Sequence, residues 1–203
     1  NPNSASQAIK SHKFDIAGVI NSQWQQVKDT KGVNFVAKIP LSYNYMGFKV
    51  GKWEDGKNVM DPKAKMNNKS LRQAMAYAMN IDAVEKRYTQ GLTFRIPTLI
   101  PAQFGQYFDK NVKGYNYNLK KANQLLDKAG YKKKGTYRVQ PNGKPLTIHL
   151  AAMTGSSTQE PIIRNYIQQW KKIGLNVKLT GGRLIEFNSF YDKVQHDSKD
   201  IDV

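Results

Sequence analysis

Cysteine is absent from the 203 residues. Disulfide cross-links and thiolate metal sites are therefore excluded. Zero cysteine selects no compartment, since it suits an exported protein that folds without oxidative help and also many cytosolic domains. Acidic residues are scarce: 15 Asp+Glu stand against 32 Lys+Arg, a formal charge of +17. Such an excess draws nucleic acid or an anionic surface, or it is simply spread over the surface as solvated lysines. Long basic blocks are missing, which favours the second alternative. The densest cluster is Lys132-Lys133-Lys134, beside Gly130 and Gly135 in an expected loop. No apolar run approaches the roughly 20 residues of a membrane-spanning helix. The three histidines, His12, His149 and His196, lie in unrelated contexts. There is no H-x-x-x-H spacing, no G-x-S-x-G and no phosphate loop. Thr154-Gly155-Ser156 is not a nucleophile elbow, and Thr180-Gly181-Gly182 reads as a turn at a strand end. The expectation is a protein that is not an enzyme and uses neither cofactor nor metal.

What is present describes a globular chain. Hydrophobic residues make up 39% and charged residues 23%, which is too apolar for disorder. The length suffices for one large domain or two small ones. The chain opens on Asn1-Pro2 and stops within a strand-like Asp200-Ile-Asp-Val203, so a piece of a longer protein is expected. The most informative stretch runs from Asn68 to Pro101. Leu71, Ala74, Met75, Ala78 and Met79 share one helical face, and Ser70 is the expected N-cap. Asp82 and Glu85 have capping-box spacing for a second helix. Gly91 closes it, and Pro97 and Pro101 keep the chain extended.

Elsewhere the pattern predicts a short helix over residues 4–12 and a strand over Phe14–Ile20. A helical turn follows over Ser22–Lys28, carrying Trp24 and Val27, and then a strand over Val33–Ile39. Leu41–Val50 reads as a longer, central strand with apolar bulk at both parities, and Gly51–Asn67 as a loop. Residues 101–115 are irregular and aromatic. Asn118 caps a helix whose buried face is Leu119, Ala122, Leu125, Leu126 and Ala129, ended by Gly130. Strands at Thr136–Val139 and Leu146–Ala151 flank the turn signal Pro141-Asn142-Gly143. A helix from Thr158 or Gln159 carries the stripe Ile162, Ile163, Tyr166, Ile167 and Trp170 and stops at Gly174. The strand Leu175–Leu179, a helix over 184–194 and a terminal strand complete the chain. Strands alternate with helices only in part, which argues for a mixed α/β fold with one open sheet flanked by helices.

Five segments resemble one family. Asn68–Pro101 is similar to its "R-Q-A…D-R" helix pair followed by G…P…P. Asn118-Leu-Lys-Lys-Ala-Asn-Gln-Leu-Leu-Asp-Lys-Ala-Gly-Tyr131 resembles D-x-x-K-A-x-x-L-L-x-x-A-G-Y. Leu146–Leu150 resembles L-T-I-x-L. Gln169–Leu179 resembles x-W-K-x-I-G-I-x-V-x-L, and Lys199–Val203 its next x-x-x-D strand. Their order and spacing over most of residues 14–203 resemble the extracytoplasmic solute-binding proteins of peptide ABC transporters, the bacterial family 5 of oligopeptide-binding proteins. The resemblance implies one lobe of a two-lobed, periplasmic-binding-protein-like fold of the type II, peptide-binding class. It implies that residues 1–40 leave the first lobe and form the hinge, with 41–203 as the second lobe, truncated at its C-terminal end. The family continues into a tryptophan-bearing loop and a return to the first lobe, and both line its cleft. A complete peptide site is therefore not expected within these residues.

The resemblance also implies the chemistry. A ligand lies extended between lobes and pairs through its backbone, with side chains in hydrated pockets that give loose selectivity. Lobe closure would shift a hinge equilibrium that a transporter can read. Met153, Thr154 and Gly155 follow a strand and precede a helix, so they either face the cleft or form a plain connection. Tyr43 and Tyr45 either touch ligand or pack in the core. Phe104 and Tyr107, with Phe108, could rim the cleft. Arg183 follows a strand end and either pairs with a ligand carboxylate or is solvated. The implied partners are an oligopeptide and the permease subunits of an ABC importer, with no nucleic acid. Further implications are a monomer, an anchor outside this chain as the sole membrane association, and a lipoprotein on the extracellular face of a Gram-positive cytoplasmic membrane. Two other classes compete: a polyanion- or nucleic-acid-binding domain, and an adhesion domain of the same fold. Trp24, Trp53 and Trp170 share no periodic element with basic clusters, which weighs against the nucleic-acid reading.

Overall fold

A computed structural model describes residues 2–36, 41–155 and 157–203. The chain gathers into two compact units: Asn1–Tyr43 with Ile81–Lys113, and Asn44–Asn80 with Gly114–Val203.

In the first unit, α1 (Pro2–Lys10) and α2 (Trp24–Val27) pack on one another. Val27 is fully buried, and Trp24 meets Phe35 edge-on at 5.2 Å. The expected strand at Phe14–Ile20 is absent, and Phe14, Ile16 and Ile20 face outward, Ile16 with 93% of its surface exposed. A β-like composition forms no strand without a partner to take its backbone bonds. Residues 33–36 are likewise irregular, and the rest of that expected strand lies outside the described residues.

The second unit holds the larger core. Its first feature is a hairpin of β1 (Gly51–Glu54) and β2 (Lys57–Met60), where a loop was expected. Asp55 and Gly56 both take positive φ, 50° and 75°, as the two-residue turn that matches strand twist requires. The preceding segment, expected to be a central strand over Leu41–Val50, has no strand in it, and Tyr45 is 78% exposed. Its ties to neighbouring segments gather at its end: the Lys49 amide donates to the Asp202 carbonyl at 2.9 Å, the Asp61 amide donates to the Val50 carbonyl at 3.1 Å, and Lys49 Nζ pairs with the Asp197 carboxylate at 2.7 Å.

Helix α3 (Lys69–Ala78) buries Leu71, Ala74, Met75 and Ala78, the face its spacing predicts. Its cap is Asn68 rather than Ser70: the Asn68 side chain accepts from the Leu71 amide at 3.1 Å. The chain then passes to α4 (Ile81–Tyr88) in the first unit. There the half-buried Glu85 carboxylate accepts from the hydroxyls of Thr89 and Thr93. Back in the second unit, Asn118 caps α5 (Leu119–Lys128) by accepting from the Lys121 amide. Its own amide donates to Tyr77 of α3 at 2.8 Å. Gly130 ends the helix at φ 83°.

Beyond α5, β3 (Lys133–Lys134) pairs antiparallel with β4 (Tyr137–Arg138). The expected turn at Pro141-Asn142-Gly143 forms, with the Gln140 amide donating to Lys144 at 2.8 Å. The hairpin it should close reaches only one bridge, Val139 to Pro145. Instead β5 (Thr147–Leu150) pairs in parallel with β6 (Asn176–Leu179), and α6 (Gln159–Lys172) is the crossover helix between them. Parallel strands need such a crossover. Ile148, Leu150, Val177 and Leu179 are buried, as are Ile163, Tyr166 and Trp170 of α6. Trp170 is wholly enclosed, and its indole N–H donates to the Met75 carbonyl of α3 at 3.0 Å. Asp202 and Val203 run beside β5, their amides both donating to the His149 carbonyl. Helix α7 (Phe187–Gln195) starts later than its pattern suggested, where the Glu186 carboxylate accepts from the Asn188 and Ser189 amides.

Replacing Trp170 with Ala removes the largest enclosed side chain and strands the Met75 carbonyl. Denaturant unfolding should show a loss of about 3–5 kcal/mol. Glu85 supplies a pH test. Burial, opposed by the Thr89 hydroxyl, raises its pKa above the ordinary value of 4.5. The folded state then holds the proton more tightly than the unfolded one. The contribution of Glu85 to stability is full below pH 4.5 and declines as pH rises through the raised value. Melting temperatures followed upward from pH 4 should fall further in the native chain than in Glu85→Gln, and identical slopes would refute the assignment.

Candidate ligand-binding site

Four of the sequence-predicted residues meet at the carboxyl end of the parallel pair, the end where open α/β sheets take ligands. After β5 the chain continues extended through Ala152 and Met153. After β6 it turns through Thr180–Gly182, with φ 65° at Gly181 and 74° at Gly182, values that favour glycine. It then runs alongside the first segment. Met153 bridges Ile185 in parallel. The Thr154 amide donates to the Ile185 carbonyl at 2.7 Å, and the Ile185 amide to Ala152 at 2.8 Å. Met153, Thr154, Gly155 and Arg183 thus sit on two adjacent segments, just before the first turn of α6. Thr154, Gly155 and Arg183 are exposed and Met153 is half-buried.

The other four lie on other segments of the chain. Tyr45 belongs to the same unit but lies on the irregular segment before β1. Tyr43, Phe104 and Tyr107 belong to the first unit. Phe104 and Tyr107 ride a 3₁₀ turn over Ala102–Tyr107, 41% and 68% exposed. Tyr43 is 39% exposed, so the core-packing alternative fails for both tyrosines.

Residues that sequence reasoning passed over adjoin the strand-end cluster. An open groove of about 450 Å³ is lined by His149, Arg164, Lys178, Gly181 and Gly182 among others. Its titratable lining is basic throughout. His149 and Lys178 are cross-strand partners, a pairing readable in the sequence once β5 and β6 are set in parallel. Arg164 is held by Glu160 one turn earlier, at 2.6 Å. The nearby Asp200 carboxyl is pulled below the usual range by the Ser198 hydroxyl and then by Lys193, while its own carbonyl accepts from the Thr180 hydroxyl at 2.8 Å. This end of the sheet therefore offers exposed donors in the Arg183 guanidinium and the Thr154 hydroxyl. Among the described residues no group of three His, Asp or Glu side chains could hold a metal ion.

The family model for bacterial extracellular solute-binding proteins, family 5 Middle, matches residues 1–202. The chain belongs to this family. Over 190 residues, 91% of the chain, it is 40% identical to the oligopeptide-binding protein OppA of Lactococcus lactis subsp. lactis. Over 203 residues it is 25% identical to the oligopeptide-binding protein AppA of Bacillus subtilis. The chain spans about a third of the length of these relatives, 32% and 35%. Its fold superposes on lactococcal OppA complexed with an endogenous peptide in the closed conformation. That match has a TM-score of 0.82 and 38% identity, and covers 94% of this chain and 36% of that one.

Family membership accounts for the mixed α/β architecture, which these peptide-binding proteins share. As a family 5 chain it comes from a group that binds substrates rather than transforming them. Strand β5, which leads into the strand-end cluster, is held by Asp202, whose carboxylate accepts from Lys65 Nζ at 2.6 Å and from the His149 amide at 2.8 Å. Lys65 also donates to the Thr147 carbonyl, so two residues of β5, Thr147 and His149, are tied to this pair. Asp202→Ala should cost on the order of 2 kcal/mol and speed amide exchange along β5, measured by hydrogen–deuterium exchange. Unchanged protection at His149 would remove Asp202 from this role.

Proposed function

We propose that this chain is part of the substrate-binding component of an ABC importer, which captures oligopeptides outside the cell and delivers them to the membrane permease. The observation that carries the reading is 40% identity, over 91% of the chain, to a protein named for oligopeptide binding. The exposed donors at the carboxyl end of β5 and β6 are its physical counterpart. They suit a ligand held by its backbone, in the manner of an added strand. In this proposal Thr154 and Gly155 meet the peptide main chain, Met153 packs on it, and Arg183 takes a carboxylate. Tyr43, Tyr45, Phe104 and Tyr107 supply exposed aromatic surface for peptide side chains.

The remaining roles follow from the same reading. The chain carries out no catalysis. Residues 41–203 serve in the second lobe and residues 1–40 lead out of the first. The protein works as a monomer at the extracellular face of a Gram-positive cytoplasmic membrane, held there as a lipoprotein by an anchor outside these residues. No described helix is long and apolar enough to cross a membrane.

Titration calorimetry of the full-length protein with a mixed oligopeptide pool tests the reading. Saturable heat is expected, and no heat at concentrations well above micromolar would reject it. A charge-assisted bond to a ligand carboxylate is worth about 1.5–3 kcal/mol. Arg183→Ala should therefore weaken peptides with a free C-terminus at least tenfold, while C-terminally amidated peptides bind as before. Equal weakening of both peptide sets would mean that Arg183 acts on something other than the carboxylate.

A further inference from the structure

The end of α6 opposite the strand-end cluster has a different character. From Lys128 to Arg183 the only acidic residue is Glu160, and it is already paired with Arg164. Six lysines of this stretch are drawn together by a buried arginine. Arg138 donates from Nε to the Ile173 carbonyl at 2.8 Å, and from Nη1 to the Tyr131 carbonyl at 2.5 Å. Its backbone amide donates to the Gly174 carbonyl at 2.7 Å. Those bonds set the C-terminal end of α5, the β3 strand and the C-terminal end of α6 side by side. Lys128 ends α5, Lys132, Lys133 and Lys134 follow it, and Lys171 and Lys172 end α6. A methyl group built on Gly174 would lie 3.4 Å from Cε of Lys133, so the Lys133 stem crosses the foot of α6. All six lysines are exposed, and none has an ion-pair partner among the described residues. The carboxylate of Asp127, which could have offset them, is bound to Arg138 at 2.5 Å.

The surroundings narrow the partner. Among the described residues between Asn118 and Glu186, no large hydrophobic side chain is exposed. The patch therefore lacks an aromatic platform for stacking bases and an apolar wedge for entering a bilayer. Its charges are ammonium groups: the one guanidinium in the cluster, Arg138, is buried and fully engaged. Ammonium groups bind phosphate as point charges, without the fixed bidentate geometry that a guanidinium fork imposes on carboxylate and phosphate alike. We propose that this lysine cluster is a docking surface for a linear, base-free phosphodiester polymer, separate from peptide capture and independent of it.

The test is titration of the 203-residue chain with poly(glycerol phosphate) at several salt concentrations. Binding should be salt-sensitive, and K132Q/K133Q/K134Q should weaken it at least tenfold and flatten the log–log salt slope by about 2. K171Q/K172Q should weaken it in the same sense, and circular dichroism melts should show both variants folded. A charge-matched control, K10Q/K13Q/K31Q, removes three exposed lysines of the first unit and should bind within twofold of the native chain. Equal losses in the control and cluster variants would reduce the effect to net charge and overturn the proposal. It is likewise overturned if polyglutamate binds as well as the phosphate polymer, if single-stranded DNA binds more tightly, or if anionic vesicles bind and the polymer does not.

Discussion

The enclosed guanidinium of Arg138 holds the second unit in register. It is 2% exposed and meets acceptors from three places: the Ile173 carbonyl beyond α6, the Tyr131 carbonyl beyond α5, and the side chains of Asn123 and Asp127 on α5. Helix ends leave carbonyls unsatisfied and carry partial negative charge. One cation placed where two such ends converge satisfies both. The geometry works only because Gly174 leaves room, since a methyl group there would lie 3.1 Å from the Arg138 Cγ. With both helix ends anchored, α6 must return the chain to a strand parallel to β5.

That return sets the polarity of the unit. Helix α6 spans fourteen residues, roughly 20 Å at the α-helical rise. At its start lie the extended segments bearing Met153, Thr154, Gly155 and Arg183. At its foot lies the lysine cluster. The two ends differ chemically because one presents Arg183 and the Thr154 hydroxyl beside turn glycines and the other presents ammonium groups that have no ion-pair partner among the described residues. The apolar layer between them, with Trp170 enclosed against α3, keeps them apart. At the other edge of β5, Asp202 gathers Lys65 and the amide of His149 and so joins residues far apart in sequence into one ladder.

Much of this was legible from local grammar. The α3 face, the Asn118 cap, the α5 and α6 stripes and the glycine stops at Gly130 and Gly174 follow from spacing and φ preference, and the structure keeps them. The hairpin at Gly51–Met60 was legible too, in Asp55-Gly56, but the apolar strand pattern around it was too weak to draw attention to the turn. Phe14–Ile20 and Leu41–Val50 misled because β-branched and aromatic composition records a willingness to pair, while a strand needs a neighbour. Of the candidate site, the loop after β5 and the arginine after β6 were readable as strand-end residues. Their adjacency was not, because it rests on parallel pairing between segments separated by a helix.

The amino-acid sequence by itself determined where the main helices lie, most of their buried faces, the Asn118 cap and the family to which the chain belongs, since each is written within a dozen or so neighbouring residues. Tertiary structure decided which strands pair, that the turn at Asn142-Gly143 would not close a full hairpin, and which lysines stand together. Those outcomes depend on long-range competition for hydrogen-bond partners. Strand β5 has one set of backbone groups to share, and the burial of Ile148, Leu150, Val177 and Leu179 against α6 makes β6 the partner that removes the most apolar surface from water.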